Sequence, residues 1–194
     1  MIGKVFVFTR ELAAPRELVF QAWTEAKHLA QWWGPKGFTN PVCEWDARPG
    51  GKIYDVMRAP NGTDFPMGGE FREIVTPERL VFSCGALDEQ GKLLFEFLHT
   101  VTFAEQSGKT KLTIQSRVTM TTPEANHYIR GFEMGMTLSL ERLARQLAQM
   151  ETFPKLPAFA RENIMPGRTQ PVGSSLKETL EPRGGTADRE IVVR

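Results

Sequence analysis

The C-terminal part of the apolar pattern predicts one amphipathic helix over residues 122–150. Steps of three and four residues place one set of apolar side chains on a single helical face: Ile129, Phe132, Met136, Leu140, Leu143 and Leu147. Pro123 suits the first helical position, where its missing N–H would have no partner. At about 1.5 Å per residue the helix is roughly 40 Å long, so its apolar face needs a broad cover.

A period of two dominates the chain before this helix and predicts β-strands. Alternating apolar and polar side chains indicate strands at 4–10, 40–47, 52–59, 69–75, 79–87, 93–103 and 111–120. Two short helices are expected after the first strand, one opening at Pro15 and one over about 25–31. The glycine pairs at 50–51 and 68–69 are interpreted as turns. Because no other helix separates the strands, the pattern predicts an antiparallel sheet.

These elements predict an α+β domain over residues 1–150: a curved antiparallel β-sheet with two short helices, wrapped around a long C-terminal α-helix. Residues 151–194 are rich in Pro and Gly, a composition typical of an extended or partly disordered tail. The end of this tail, 188–194, is β-prone. It is a frayed terminus, the start of a second domain copy, or a strand that adds to a sheet edge. Tail exchange or edge-strand addition would produce a homodimer.

Charge and composition exclude several classes of function. The chain has 24 Lys and Arg against 23 Asp and Glu, with no basic run, which argues against a nucleic-acid partner. No signal-peptide core and no apolar run near 18 residues occurs, so we expect no membrane association. Two cysteines without a CxxC spacing indicate a reduced, cytoplasmic protein. Because no histidine pair has metal spacing, neither a metal nor a cofactor is expected.

Five stretches carry a resemblance to a known family: APRELVFQAWTEAKHLAQWWGP, CEWDARPGGKIYDVMRAPNG, FREIVTPERLVFS, HTVTFAEQSGKTKLTIQS and GMTLSLERLARQLA. In this order and spacing they resemble the START-like or Bet v 1-like (SRPBCC) helix-grip superfamily, in the branch of the C-terminal domain of the activator of Hsp90 ATPase. The resemblance implies a cavity between sheet and long helix that binds lipids, polyketides, hormones or hydrophobic drugs. Relatives often carry Trp directly after the glycine that is Gly135 here, whereas this chain has Met136.

The apolar faces of the predicted elements supply a candidate lining for such a cavity. Most members are aromatic, aliphatic or sulfur-containing: Trp33, Phe82, Cys84, Phe95, Phe97, His99, Ile114, Ser116, Phe132, Met136 and Leu140. This lining suits a small hydrophobic molecule held by burial, with two or three polar groups setting its orientation. A packed core without a ligand would use the same residues, so both interpretations stay open.

His99 is the candidate catalytic residue, because alternation places it on the apolar face of a central strand. A histidine there is either a proton shuttle or, more commonly, a hydrogen-bonded core residue. Asp55 and Glu70 lie on neighbouring strands, but the pattern does not decide which face they occupy. Of the adjacent Trp32 and Trp33, we expect one to seal the pocket and the other to lie near its mouth or stay exposed.

Three functions follow from this sequence. The leading hypothesis is a binding protein without enzymatic activity that encloses a small hydrophobic molecule. The second is an enzyme similar to the cyclases and aromatases of the superfamily, with His99 as acid or base. The third is a protein-interaction module that resembles the Hsp90 activator and uses the convex sheet face or the tail.

Overall fold

The structure, a computed structural model, describes residues 1–150. Its helices and strands follow in the order β1 Val5–Leu12, α1 Arg16–Thr24, α2 Ala26–Trp32, β2 Thr39–Trp45, β3 Lys52–Arg58, β4 Asp64–Val75, β5 Arg79–Ala86, β6 Phe95–Gln106, β7 Lys109–Thr121 and α3 Asn126–Met150. The predicted tail over 151–194, with its β-prone end at 188–194, lies outside the described residues.

All of these strands form one antiparallel sheet in the order β1-β7-β6-β5-β4-β3-β2. From β2 to β7 each strand pairs with the next strand along the chain, whereas β1 pairs with β7 and closes the other edge. The α+β fold, the antiparallel sheet and the two short helices before it are therefore confirmed. None of the helices within residues 1–150 is long and apolar enough to cross a bilayer.

Period-two burial in the central strands forms the concave apolar face of the sheet. Along β6, each side chain on this face is buried and each intervening one is partly exposed up to Thr102. Phe97, Val101 and Phe103 belong to the main hydrophobic core, together with Leu112 and Ile114 of β7. The alternation in the sequence therefore reports directly which side chains face the helix.

Helix α3 lies against this concave face through the predicted stripe. Ile129, Met136, Leu140, Leu143 and Leu147 are buried. The ring of Phe132 is partly buried and stacks on Phe97, with centroids 4.1 Å apart and an interplanar angle of 23°. The helix-grip architecture follows from this burial.

Helix α3 begins at Asn126, so the prediction that it starts at residue 122 with Pro123 in the first helical position is wrong. A turn occupies this segment: the Ala125 N–H donates to the Thr122 carbonyl at 3.2 Å, and the Asn126 N–H donates to the Pro123 carbonyl at 3.4 Å. These bonds span three residues, not the four of an α-helix. Buried Ala125 anchors the turn against the core.

Gly68 and Gly69 lie inside β4, not in the predicted turn, because β4 already begins at Asp64. A Cβ on Gly69 would lie 1.9 Å from the Ser83 carbonyl oxygen of the neighbouring strand. Gly85 of β5 has the same constraint, with the Phe95 carbonyl oxygen 1.9 Å from the Cβ position. These glycines therefore let adjacent strands approach where the sheet bends.

Trp32 and Trp33 are both buried, with 0% and 6% of their surface exposed. The expectation that one of them lies near the mouth of the pocket or stays exposed is therefore wrong. Helix α2 ends at Trp32, and Trp33 takes extended backbone angles of −62° and 129°. This change of backbone turns both indoles inward. The Trp32 Nε1–H donates to the Ala22 carbonyl at 3.0 Å, which satisfies its polar atom within the core.

Gly85→Ala should lower the free energy of unfolding by at least about 2 kcal/mol, because the added Cβ would clash with a backbone oxygen of β6. Gly131→Ala in α3 is the matched control: a Cβ there has no described atom within 4 Å, so the variant should gain up to about 1 kcal/mol of helix stability. Urea unfolding of both variants measures these changes. Equal stability of Gly85→Ala and the wild type would contradict the strand contact.

Candidate functional site

A cavity of about 360 Å³ lies between the sheet and the N-terminal half of α3. The strands β3 to β6 form one wall, α3 forms another, and the segment after α2 closes one side. His127 and Tyr128 line it and are exposed, so they mark its mouth. Within residues 1–150, no Asp, Glu, Lys or Arg side chain lines the cavity.

Most of the residues that the sequence nominated for the lining form part of the cavity wall: Trp33, Cys84, Phe95, Phe97, His99, Phe132 and Met136. The others do not reach the cavity: Phe82, Ile114, Ser116 and Leu140. Phe82 packs against Trp23 and Trp45, with ring centroids 6.4 and 5.3 Å away. An aromatic cluster therefore fills the end of the concave face beneath α1 and α2, and the cavity occupies only the other end.

Sequence reasoning missed the β3–β4 side of the cavity and its mouth. The additional residues on these sides are Gly34, Pro35, Phe38, Met57, Phe65, Met67, Ala86, His127, Tyr128 and Ser139, and Gly131 and Gly135 of α3 complete the wall. Phe65 and Met67 pair with Met57 and Asp55 across the hairpin. Their spacing of two, continued by Phe71, is the signal that could have placed them on the concave face.

His99 is a buried, neutral hydrogen-bonding group on this wall. Only 3% of its surface is exposed, and its Nδ1 lies 2.8 Å from the Ser116 hydroxyl. Burial lowers the pKa of His99 to about 3, because the charged imidazolium would lose its hydration. An efficient general base has a pKa near the operating pH, so His99 is poorly suited to acid–base catalysis at neutral pH.

Asp55 is a second buried titratable group, on the same concave face of β3. Its Oδ1 accepts a hydrogen bond from the Trp45 indole at 3.2 Å, and its Oδ2 has no partner within residues 1–150. Burial raises the pKa of this carboxyl to about 7, and the Trp45 hydrogen bond opposes the shift. Glu70 is on the outer face instead, where it forms ion pairs with Lys52 and Arg72.

The structure does not bring Asp55 and His99 together as a catalytic pair. Asp55 lies on β3 and His99 on β6, with β4 and β5 between them. Three strand spacings of about 4.8 Å separate their backbones by roughly 14 Å, which is too far for direct proton transfer.

Both thiols are unreactive in this environment. Burial, followed by the nearby Asp55 charge, raises the pKa of Cys43 to about 12. The same two causes raise the pKa of Cys84 well above its usual value. Protonated thiols are weak nucleophiles and poor metal ligands. Among the described residues, no group of three or more His, Cys, Asp or Glu side chains could hold a metal ion.

Arg142 of α3 positions the wall segment that follows α2. Its Nη1 donates to the carbonyls of Gly34 and Pro35, both at 2.9 Å, and its Nη2 donates to the Gln31 carbonyl at 2.8 Å. The Asn40 side chain donates to the Trp33 carbonyl at 2.7 Å. Together these side chains satisfy carbonyls that the end of α2 leaves without helical partners. These hydrogen bonds therefore hold the backbone around Trp33 in place in the cavity wall.

The long helix gripped by an antiparallel sheet, with a cavity between them, defines a helix-grip domain of the SRPBCC class. Residues 13–148 match the family model described as "Activator of Hsp90 ATPase homolog 1-like protein". The chain belongs to this family, and the resemblance that the sequence carries is confirmed. Among proteins of curated function, none matches the chain.

Solved structures from several bacteria share the fold. A protein from Nitrosomonas europaea is 30% identical with a TM-score of 0.65, over 77% of this chain and 97% of its own. A protein from Arthrobacter aurescens is 26% identical with a TM-score of 0.67, over 84% and 93% of the two chains. The AHSA1 protein from Silicibacter pomeroyi is 26% identical with a TM-score of 0.65, over 76% and 99%.

Arg142→Ala should lower the free energy of unfolding by about 1 to 2 kcal/mol, because two partly buried carbonyls and one exposed carbonyl lose a charged donor. Arg142→Lys should recover less than half of this loss, since an ammonium lacks the planar fork of the guanidinium. Arg145→Ala removes an exposed arginine 3.7 Å from Glu141 and should change stability by less than about 0.5 kcal/mol. Urea unfolding measures all three, and an Arg142→Ala value near that of Arg145→Ala would contradict the positioning role.

Asp55→Asn should raise the free energy of unfolding above neutral pH, and this gain over the wild type should become smaller as the pH falls. The folded pKa, about 7, exceeds the ordinary value of 3.8, so the native state binds the proton more tightly and loses stability as pH rises through this window. At about 1.4 kcal/mol per pKa unit, the variant should gain on the order of 2 to 4 kcal/mol at pH 8. The gain should shrink towards zero near pH 4.

Urea unfolding of Asp55→Asn at pH 4, 5, 6.5 and 8 measures this slope. Asp46→Asn, which removes an exposed carboxylate paired with Arg48, is the control and should not reproduce it. A stability difference between Asp55→Asn and the wild type that is independent of pH would show that Asp55 is not buried in its neutral form.

Proposed function

We propose that this protein binds a small hydrophobic molecule in the cavity between the sheet and α3. The observation that carries the proposal is an apolar cavity of about 360 Å³ in which His99 and Ser139 are isolated polar groups. Ligand sites typically enclose roughly 300 to 1,000 Å³ and combine apolar walls with a few placed polar groups. The match to the activator family also supports it, since the resemblance to the helix-grip superfamily implies a ligand cavity between sheet and long helix.

The packing of the rest of the concave face also supports a ligand. Aromatic side chains fill the end beneath α1 and α2 to complete burial, as Trp23, Phe71 and Phe82 demonstrate. At the other end, no side chain from residues 1–150 covers the apolar surface. Covering apolar surface contributes about 25 cal/mol per Å², so an apolar ligand gains free energy by filling this space.

The enzymatic alternative with His99 as acid or base receives less support. A histidine with a pKa of about 3 is almost entirely neutral at pH 7 and is a weak base. Its hydrogen bond with Ser116 and the distance to Asp55 leave it without a carboxylate that would raise this pKa. We therefore assign His99 the role of a hydrogen-bonding group for the ligand.

Native mass spectrometry of the purified protein and titration with the neutral fluorophore N-phenyl-1-naphthylamine test the proposal. Ala86 lies on the cavity wall, so Ala86→Leu should weaken binding of the fluorophore at least about tenfold by occupying its volume. Val81→Leu enlarges the opposite face of the same strand and should leave binding within about twofold. Met136→Trp is a second blocking variant, in case Ala86→Leu unfolds the protein.

Each outcome of this experiment decides something. Absence of both a co-purified apolar molecule and any fluorophore binding would contradict ligand binding. Equal weakening by Ala86→Leu and Val81→Leu, in proteins with wild-type thermal stability, would place the fluorophore outside the cavity.

A further inference from the structure

Two glycines of α3 leave a slot along one side of the cavity. His127, Gly131, Gly135 and Ser139 recur every four residues and line the cavity together. Exposure decreases along this stripe, from exposed Gly131 through half-buried Gly135 to buried Ser139. The stripe therefore runs from the mouth of the cavity to its inner end.

Packing within residues 1–150 does not require either helical glycine. A Cβ on Gly131 would meet no described atom within 4 Å, and one on Gly135 would lie 3.7 Å from Pro35, which is ordinary contact. By contrast, the sheet glycine Gly85 would clash with a carbonyl oxygen at 1.9 Å. Both helical glycines also weaken α3 relative to alanine, so the space that they leave is a feature of the cavity and not of the core.

Aromatic rings form a large part of the cavity wall, beside non-aromatic side chains such as Met67 and Met136. Phe132 and Phe97 stack at 4.1 Å, and the rings of Phe95 and Tyr128 lie 5.9 Å apart at 38°. Ring faces in these arrangements favour an offset-stacked or edge-on aromatic neighbour over a flexible chain. An apolar cavity of about 150 Å³ holds one benzene molecule. The 360 Å³ of this cavity therefore corresponds to two or three rings.

Among the described residues, the inner end of the cavity has no charged side chain that could neutralise a buried ligand charge. No Asp, Glu, Lys or Arg from residues 1–150 lines it, and burial holds the pKa of His99 far below its usual range. His127, the other histidine of the wall, is exposed to solvent at the mouth. A carboxylate or ammonium at the inner end would lose its hydration without a counter-ion, which is strongly unfavourable.

We propose that the ligand is a flat, uncharged molecule of two or three aromatic rings that lies along Gly131 and Gly135, with one hydroxyl or carbonyl group hydrogen-bonded to His99. This inference rests on the proposed function and specifies its ligand class. The neutral imidazole supplies one directional contact on an apolar wall, and Ser116 fixes the ring through its Nδ1. Ligand shape is selected by the slot, and ligand charge is excluded by desolvation.

A series of ten-carbon and naphthyl compounds tests shape and charge separately by displacement of N-phenyl-1-naphthylamine. 2-Naphthol is uncharged, whereas 2-naphthoate and 2-naphthylmethylammonium carry a charge that the cavity would have to desolvate. It should therefore bind at least about tenfold more tightly than either ion. It should bind several-fold more tightly than naphthalene, which lacks the hydroxyl. It should also exceed 1-decanol, which has the same number of carbons and the same hydroxyl on a flexible chain, by about fivefold or more.

Variants of α3 and β6 test the pose. Gly131→Ala and Gly135→Ala should raise the melting temperature yet weaken 2-naphthol binding at least about fivefold, a combination that a purely structural role would not produce. Glu133→Ala, on the exposed face between them, should leave 2-naphthol affinity unchanged. His99→Phe combined with Ser116→Ala should make 2-naphthol bind no better than naphthalene, because the ring remains but the hydrogen bond is lost.

The ligand class and the proposed function fail in different ways. Equal affinity for 2-naphthol and 2-naphthoate would overturn the exclusion of charge, and equal affinity for 1-decanol would overturn the selection of rings. Unchanged 2-naphthol affinity in both glycine variants would overturn the slot. In all three cases binding of the fluorophore persists, so the proposed function survives. Failure of every compound and of the fluorophore to bind contradicts both.

Discussion

Contact among four tryptophans determines which end of the concave face is filled by side chains and which end is left as a cavity. Trp23 lies 4.8 Å from Trp32, and Trp33 lies 5.4 Å from both Trp32 and Trp45, measured between ring centroids. These indoles join α1, α2 and β2 and fill one end of the face. The C-terminal half of α3 packs beside this filled end, and its N-terminal half passes over space that no side chain of the described part of the chain fills. The cavity is present because the aromatic cluster does not extend beneath the N-terminal half of α3.

The two buried titratable groups of the concave face act on stability in opposite directions. His99 has a folded pKa of about 3, below its ordinary 6.5, so the unfolded chain takes up the proton first and stability falls as pH drops through this window. Asp55, with a folded pKa of about 7, is stabilised in its neutral form, so stability increases as pH drops below 7. Between about pH 4 and 6.5 these contributions oppose each other. A weak net pH dependence of stability can therefore hide two strongly perturbed groups.

Sequence periodicity predicts which face of a strand or helix is buried when many positions share the same pattern. It does not predict a side-chain orientation that depends on the backbone angles of a single residue. The faces of β6 and α3 follow from alternation because many positions carry the same signal. Trp33 faces inward because the chain leaves the helix at that residue, a change that composition does not encode. The predicted strand begins only at residue 69 and leaves Met67 outside the sheet, whereas Gly69 in fact permits close contact with the neighbouring strand. Phe65 precedes the same predicted strand, and Met57 lies in a strand whose pattern does not decide which face is buried, whereas the alternation of β6 identifies its aromatic wall residues.

Helix α3 consists of two parts that are restrained to different degrees. Leu140, Leu143 and Leu147 are buried in the core, and Arg142 bonds the same half to the α2 end. The half that carries Gly131 has fewer buried side chains and a backbone weakened by glycine. Local opening therefore costs least where α3 borders the cavity. In kinetic terms, opening of this half of the helix would set how fast the proposed ligand enters and leaves, while the buried leucines of the other half would keep the domain folded during the exchange.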